Sequence, residues 1–182
     1  GLGVERNLDE ARRLFTAAAE QEYAYAQNNV GHLYLHGIGV EKDPLQAIEW
    51  FERAAEQDLP DALANLGYMY QNGIGIERDL ESALDFYGEA AAQEHVFAMD
   101  MLGFMYQQGD GVERDLKASA RWFERSAGRG SAYGLVNLAK IYHYGIGVAP
   151  DLIKARTLYQ HALQAGDKSA RKALDELGEK DG

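Results

Sequence analysis

The sequence has no cysteine among its 182 residues, which excludes disulfides and thiolate-bound metals. It is also short of positive charge: 18 Lys and Arg stand against 29 Asp and Glu, a net charge of −11. Nucleic acid is held by neutralising phosphates with Lys and Arg, so the balance argues against that partner. No apolar run approaches the roughly 20 residues that cross a bilayer as a helix, and no membrane insertion is expected. The lack of cysteine leaves the compartment open between a cytosol and a periplasm, because both accept such a chain. No signal peptide is recognisable, but Gly1 falls inside a loop with no helix ahead of it, an arrangement that predicts an upstream segment.

What the sequence does contain is a period. Gly-x-Gly-(Val/Ile) begins at residues 1, 37, 73, 109 and 145, a spacing of 36 without insertion. A motif recurring at a fixed interval is a structural device, not one phosphate loop. Dinucleotide binding also requires a strand before the glycines and a third glycine beyond them, and neither is present. The third period shows the unit whole. Leu66, Met69 and Tyr70, then Leu80, Ala83, Leu84, Phe86, Tyr87 and Ala90 follow helical spacing rather than alternation. Each period therefore predicts an A-type helix ending in Tyr, the glycine loop, and an antiparallel B-type helix opening after Asp.

Asn29-Val30-Gly31, Asn65-Leu66-Gly67 and Leu102-Gly103, the closing Tyr34, Tyr70, Tyr106 and Tyr142, and the aromatic pairs Trp50-Phe51, Phe86-Tyr87 and Trp122-Phe123 recur in step. On these marks the chain resembles the Sel-one-like repeat (SLR) family, relatives of the tetratricopeptide repeat, over nearly its whole length. The resemblance implies an all-α fold, a right-handed α-alpha superhelix of antiparallel helix pairs, with A-type helices lining the concave side. Residues 1–182 then form a single solenoid domain of about five repeats, incomplete at the first and ending in a polar capping helix. It also implies an adaptor that holds other proteins together, of bacterial type.

The recurring residues have structural roles. Asn7, Asp43, Asp79, Asp115 and Asp151 precede helical patterns, where a short side-chain oxygen accepts from free backbone N–H groups. Glu10 and Gln46, three residues on, predict capping boxes, and Pro44 suits a first helical position. Gly37, Gly73, Gly109 and Gly145 fall just past a helix end, where a left-handed backbone is commonly required. Val40, Ile76, Val112 and Val148 return toward the core. The bulky pairs, from Leu14-Phe15 to Leu158-Tyr159, wedge between successive A-type helices, and Gly31, Gly67 and Gly103 permit close approach.

Function is sought where the repeats disagree. At about 100° per residue, Ala26, Val30, Leu33 and Tyr34 share one arc of the A-type helix. Tyr25, Asn28, His32, Leu35 and His36 share the opposite one. That second arc, expected to be solvated, holds Tyr25, Tyr68, Phe97, Phe104 and Tyr133 in successive repeats, together with Lys140 and His143. Asn29, Asn65 and Asn137, with Met101 in the odd repeat, flank it. Aromatic residues facing water suggest a binding strip for a peptide or protein segment, with amides able to hold an extended backbone. In the competing reading the aromatics pack against the neighbouring A-type helix and the amides brace adjacent repeats.

Other functions have less to stand on. His32 and His36 lie one turn apart, a spacing able to chelate, but no third ligand accompanies them, and no metal or cofactor is expected. An enzyme or small-molecule site around His32, His36 and Tyr68 lacks converging polar groups, and no nucleophile setting is present. A third reading is a spacer that makes contacts through its ends. The last helix is polar, with Arg171, Lys172, Asp175 and Glu176, and fits a cap. The first leaves Leu14 and Phe15 partly exposed, consistent with a preceding segment or a homodimer through that end.

Overall fold

The chain is described as a computed structural model over residues 8–179, with side chains over residues 10–178. Among the described residues there are ten helices and no strand. In order they are α1 (Leu8–Ala19), α2 (Ala24–His36), α3 (Pro44–Ala55), α4 (Pro60–Asn72), α5 (Leu80–Ala92), α6 (Val96–Gln108), α7 (Leu116–Gly128), α8 (Ala132–Tyr144), α9 (Leu152–Gln164) and α10 (Ala170–Glu179). The even-numbered helices are A-type and the odd-numbered ones B-type. They group into two compact units, α1–α5 and α6–α10, divided between Gln93 and Glu94.

The helices start where the sequence marks them. The Asp43 carboxylate accepts from the N–H groups of Leu45 and Gln46 at 3.0 and 3.1 Å. Asp79 and Asp115 repeat the arrangement on α5 and α7, and Asp151 accepts from the Lys154 N–H on α9. Asn7 lies outside the described residues. The expected capping box at Gln46 does not form, because the Asp43 N–H already donates to the Tyr34 carbonyl at 2.9 Å. Gln46 donates instead to Glu49, and Glu10 pairs with Arg13. The same link from the capping residue to the closing tyrosine recurs at Asp79–Tyr70, Asp115–Tyr106 and Asp151–Tyr142. Each glycine loop is thereby tied at both ends.

A-type helices end at a left-handed residue. Gly73, at φ 64° and ψ 41°, donates its N–H to the Met69 carbonyl, and Gly37, Gly109 and Gly145 behave alike. The second loop glycines, Gly39, Gly75, Gly111 and Gly147, are left-handed too, and the return turns from B-type to A-type helices hold a third such position that the repeated motif does not mark. Glu22, Asp58 and Glu94 occupy it at φ 58–64°, and Gly130 and Gly166 fill it in the later repeats.

Packing follows from the aromatic pairs. Phe51, Tyr87, Phe123 and Tyr159 are at most 1% exposed, each lying against the A-type helix of its own repeat. A Cβ on Gly31 would stand 2.6 Å from the Phe51 ring, and one on Gly67 2.8 Å from Tyr87, so these glycines set the helix separation. Phe51 gathers Ala47, Ile48, Leu66 and Met69 in the first unit. In the second, Phe123 gathers Leu138 and Ile141, and Tyr159 gathers Leu135, Ala139 and Leu177. The other member of each pair lies at the rim, where Arg53 stacks over Trp50 and Arg125 over Trp122. Burial pushes the Tyr159 phenol up to about 12, with Tyr144 and Glu176 adding to it.

Candidate interaction faces

In the first unit α2 and α4 carry the variable positions. Tyr25 is 70% exposed and Tyr68 43%, on different helices, while Asn29, His32 and Asn65 are half-buried. The Asn65 amide is committed. Its Nδ2 donates to Asn28 Oδ1 at 2.9 Å and meets His32 Nε2 at 3.1 Å. An amide nitrogen only donates, so Nε2 accepts and the ring proton belongs on Nδ1. Burial, then the stacked ring of His36 5.9 Å away, hold the His32 pKa below the usual imidazole value, and Asp61 opposes them. Protonating His32 would remove the acceptor that Asn65 uses. This amide thus braces adjacent repeats, as the competing reading held, whereas Asn29 remains at the rim.

In the second unit, Phe97 and Tyr133 are 41% and 42% exposed. Lys140 is exposed, and Met101, Phe104 and Asn137 are half-buried. Phe104 packs against the cluster of Phe123, Leu138 and Ile141 and serves the core as well as the surface. Asn137 caps back onto the Tyr133 carbonyl at 2.9 Å.

The arc expected to be wholly solvated is not. Asn28, Ala64, Asp100 and Val136, one per repeat, are buried, as is His143. Within their units α2, α4 and α8 each pack against the B-type helix before them as well as the one after, so the buried arc is wider than a single amphipathic stripe. His143 stacks on Tyr144 at 4.2 Å and meets Tyr159 edge-on. Gln27, also buried, accepts from Gln57 and donates to the Ala19 carbonyl. Comparison across repeats carried a signal for it, since Leu63, Met99 and Leu135 hold the same place.

Asp100 is the most unusual of these residues. It is 5% exposed, and its Oδ2 accepts from Ser131 Oγ at 2.6 Å, while Ser131 Oγ accepts from the Gly134 N–H. Burial raises its pKa above the ordinary carboxylate value, and the Ser126 and Ser131 hydroxyls only partly offset this. The folded chain therefore binds this proton more tightly than the unfolded chain. The cost of the charge is present in full above the raised pKa and disappears as pH falls to the ordinary carboxylate range. Asp100→Asn should therefore raise stability at neutral pH, and the gain should shrink steadily on acidification. Urea midpoints of both proteins from pH 4 to 7 test this. A difference independent of pH would contradict it.

Surface depressions of the first unit are lined by Tyr34, Val40 and Asp43, by Tyr70, Ile76 and Arg78, and by Gln27, Arg53 and Gln57. None of these is lined by His32, His36 or Tyr68. Among the described residues no three His, Asp or Glu side chains come together as a metal site, and no helix is long and apolar enough to cross a membrane.

The periods coincide with five Sel1 repeats matched at residues 1–23, 24–59, 60–95, 96–131 and 132–167. The chain belongs to the Sel1 repeat family. Each full Sel1 match spans one A-type helix, its glycine loop and one B-type helix, and α10 lies beyond the last. The Sel1 fold is shared with a Sel1 repeat protein from Oxalobacter formigenes at 35% identity and a TM-score of 0.91, covering 96% of this chain and 71% of that one. A protective antigen present in uropathogenic Escherichia coli strains, displaying an SLR fold, matches at 35% identity and a TM-score of 0.89. That match covers 94% of this chain and 37% of that one. An immunity protein, Pa5087 from Pseudomonas aeruginosa, at 24% identity and a TM-score of 0.63, shares the fold. None of the curated proteins matches. Sel1 repeats generally act as scaffolds for protein–protein interaction.

Proposed function

We propose that this Sel1 repeat chain is a non-catalytic scaffold that holds a peptide or protein segment against the exposed faces of its A-type helices. The observation that carries this is the exposure of a large aromatic ring on α2, α4, α6 and α8: Tyr25 and Tyr68 in the first unit, Phe97 and Tyr133 in the second. Each is over 40% exposed at a position that the scaffold leaves free to vary. Aromatic rings give large contact area at a low entropic cost, which is why they dominate binding energy at interfaces. Asn29, Met101 and Lys140 at the rims supply polar and adaptable contacts.

The test is affinity capture followed by titration of the recovered partner against the intact chain and against Tyr25→Ala/Tyr68→Ala. The double substitution should weaken binding by about 2 kcal/mol or more, roughly thirtyfold, with the helical circular-dichroism signal unchanged. A folded variant that binds equally well would remove the first unit's face from the proposal. The corresponding pair Phe97→Ala/Tyr133→Ala then tests the second unit.

A further inference from the structure

The first unit carries the whole of the chain's net charge of −11. Residues 1–93 hold 17 Asp and Glu against 6 Lys and Arg, whereas residues 94–182 hold 12 of each. One place in the first unit concentrates the imbalance. At the edge where B-type helices return to A-type helices, a depression of about 460 Å³ is lined by Glu20 and Glu22 after α1, Gln27 of α2, and Arg53, Glu56 and Gln57 at the end of α3. Three carboxylates share it with one guanidinium, which lies over the Trp50 ring at 4.8 Å. Among the described residues no ion pair engages Glu20, Glu22 or Glu56. The amides do not answer the charge, since Gln57 donates to Gln27 and Gln27 to the Ala19 carbonyl.

Two periods later the same place is filled. Glu94 stands where Glu22 does, and both are left-handed at φ 64°. Arg125 and Arg129 hold the positions of Arg53 and Gln57. Both guanidinium groups pair with Glu94, Arg125 at 3.0 Å and Arg129 at 2.8 Å, although Arg125 also stacks over Trp122 as Arg53 does over Trp50. The second unit thus supplies its own cations at this turn. The first has Gln57 in place of Arg129 and Glu56 in place of Gly128, one cation fewer and one carboxylate more.

We infer that this depression receives an arginine side chain from a segment of a partner protein, set against Glu22 as Arg129 is set against Glu94. The filled turn displays the occupant: a planar guanidinium fork, which carboxylates can share in a way that a compact ammonium does not match. One exposed ion pair contributes little. Three uncompensated carboxylates around one concavity, on a unit with so large an excess of one sign, draw a basic segment in and fix where it settles. The return-turn edge is a different surface from the exposed aromatic faces, and the inference does not rest on the function proposed for them.

The probe is a short peptide, Gly-Gly-Arg-Gly-Gly blocked at both ends, titrated into the full chain at about 0.15 M salt so that long-range attraction is screened. Backbone amide NMR shifts follow it, beside the same peptide with citrulline, the neutral isostere, in place of arginine. The arginine peptide should give saturable shifts centred on Glu22, Glu56 and Gln57, and the citrulline peptide none. Glu22→Gln/Glu56→Gln should weaken binding at least about fivefold. Gln57→Arg, which installs the residue of the second unit, should fill the depression from within and abolish the shifts. Shifts that survive Gln57→Arg, or that citrulline reproduces, would overturn the inference. So would the absence of any saturable shift, or shifts spread over the first unit with no centre at Glu22, the mark of charge without a site.

Discussion

Truncating Phe51 to alanine should lower stability by about 3–5 kcal/mol, the range for emptying a fully buried aromatic site. Its ring is wholly buried, lies against the α-carbon of Gly31, meets His32 edge-on at 5.2 Å and is closed in by Ile48, Leu66 and Met69. A glycine cannot move a side chain into the space left behind, so the cavity persists. Phe15→Ala, at the same place in its repeat, should cost only about 1–2 kcal/mol, because much of that ring already faces water. Urea denaturation followed by helical circular dichroism measures both. Equal losses would mean that repeat position, rather than burial, sets the energy.

Gly73→Val should cost about 1–3 kcal/mol, the usual range for a residue held in a sparsely allowed conformation. At φ 64° a β-branched side chain is strongly disfavoured, and the new Cβ would crowd the Cβ and backbone nitrogen of Arg78 at 3.3 Å. The control is Gly88→Ala. Gly88 lies inside α5 with nothing within 4 Å of a Cβ built there, so that change should stabilise by about 0.5–1 kcal/mol. Opposite signs for two glycine substitutions in the same repeat separate backbone demand from mere smallness. An unchanged midpoint for Gly73→Val would contradict the need for a left-handed turn.

Much of the scaffold was legible in the sequence because identity between repeats reports it. Asp43, Gly73 and the pair Trp50-Phe51 recur in step, and each does locally what its chemistry allows. Polar groups inside the array were harder to see. Asn28 and Asp100 share a place with Ala64 and Val136, and helical angle alone assigned it to water. The bond from Asn65 to Asn28 joins α2 to α4, and no single-helix projection contains that contact. The left-handed turn residues were hidden for a different reason. Gly130 and Gly166 marked the position in the later repeats, but Glu22, Asp58 and Glu94 tolerate it without a glycine and so broke the pattern. Of the candidate faces, the exposure of Tyr25, Tyr68, Phe97 and Tyr133 was legible. The share of Phe104 that belongs to the core was not, since it depends on how closely Leu138 and Ile141 approach.

The bond between each capping aspartate's N–H and the closing tyrosine's carbonyl makes each of the four glycine loops among the described residues a ring of fixed circumference. Such a ring holds its geometry without reference to side chains on the outer arc of the helix before it. Residues there can be exchanged one after another while the clasp keeps the next helix in place. The clasp also makes length the quantity that cannot drift. One residue added between Tyr70 and Asp79 would break the bond at 3.0 Å and detach the start of α5 from the end of α4. An array built this way can diversify what it recognises by substitution alone, and it lengthens or shortens only by whole repeats.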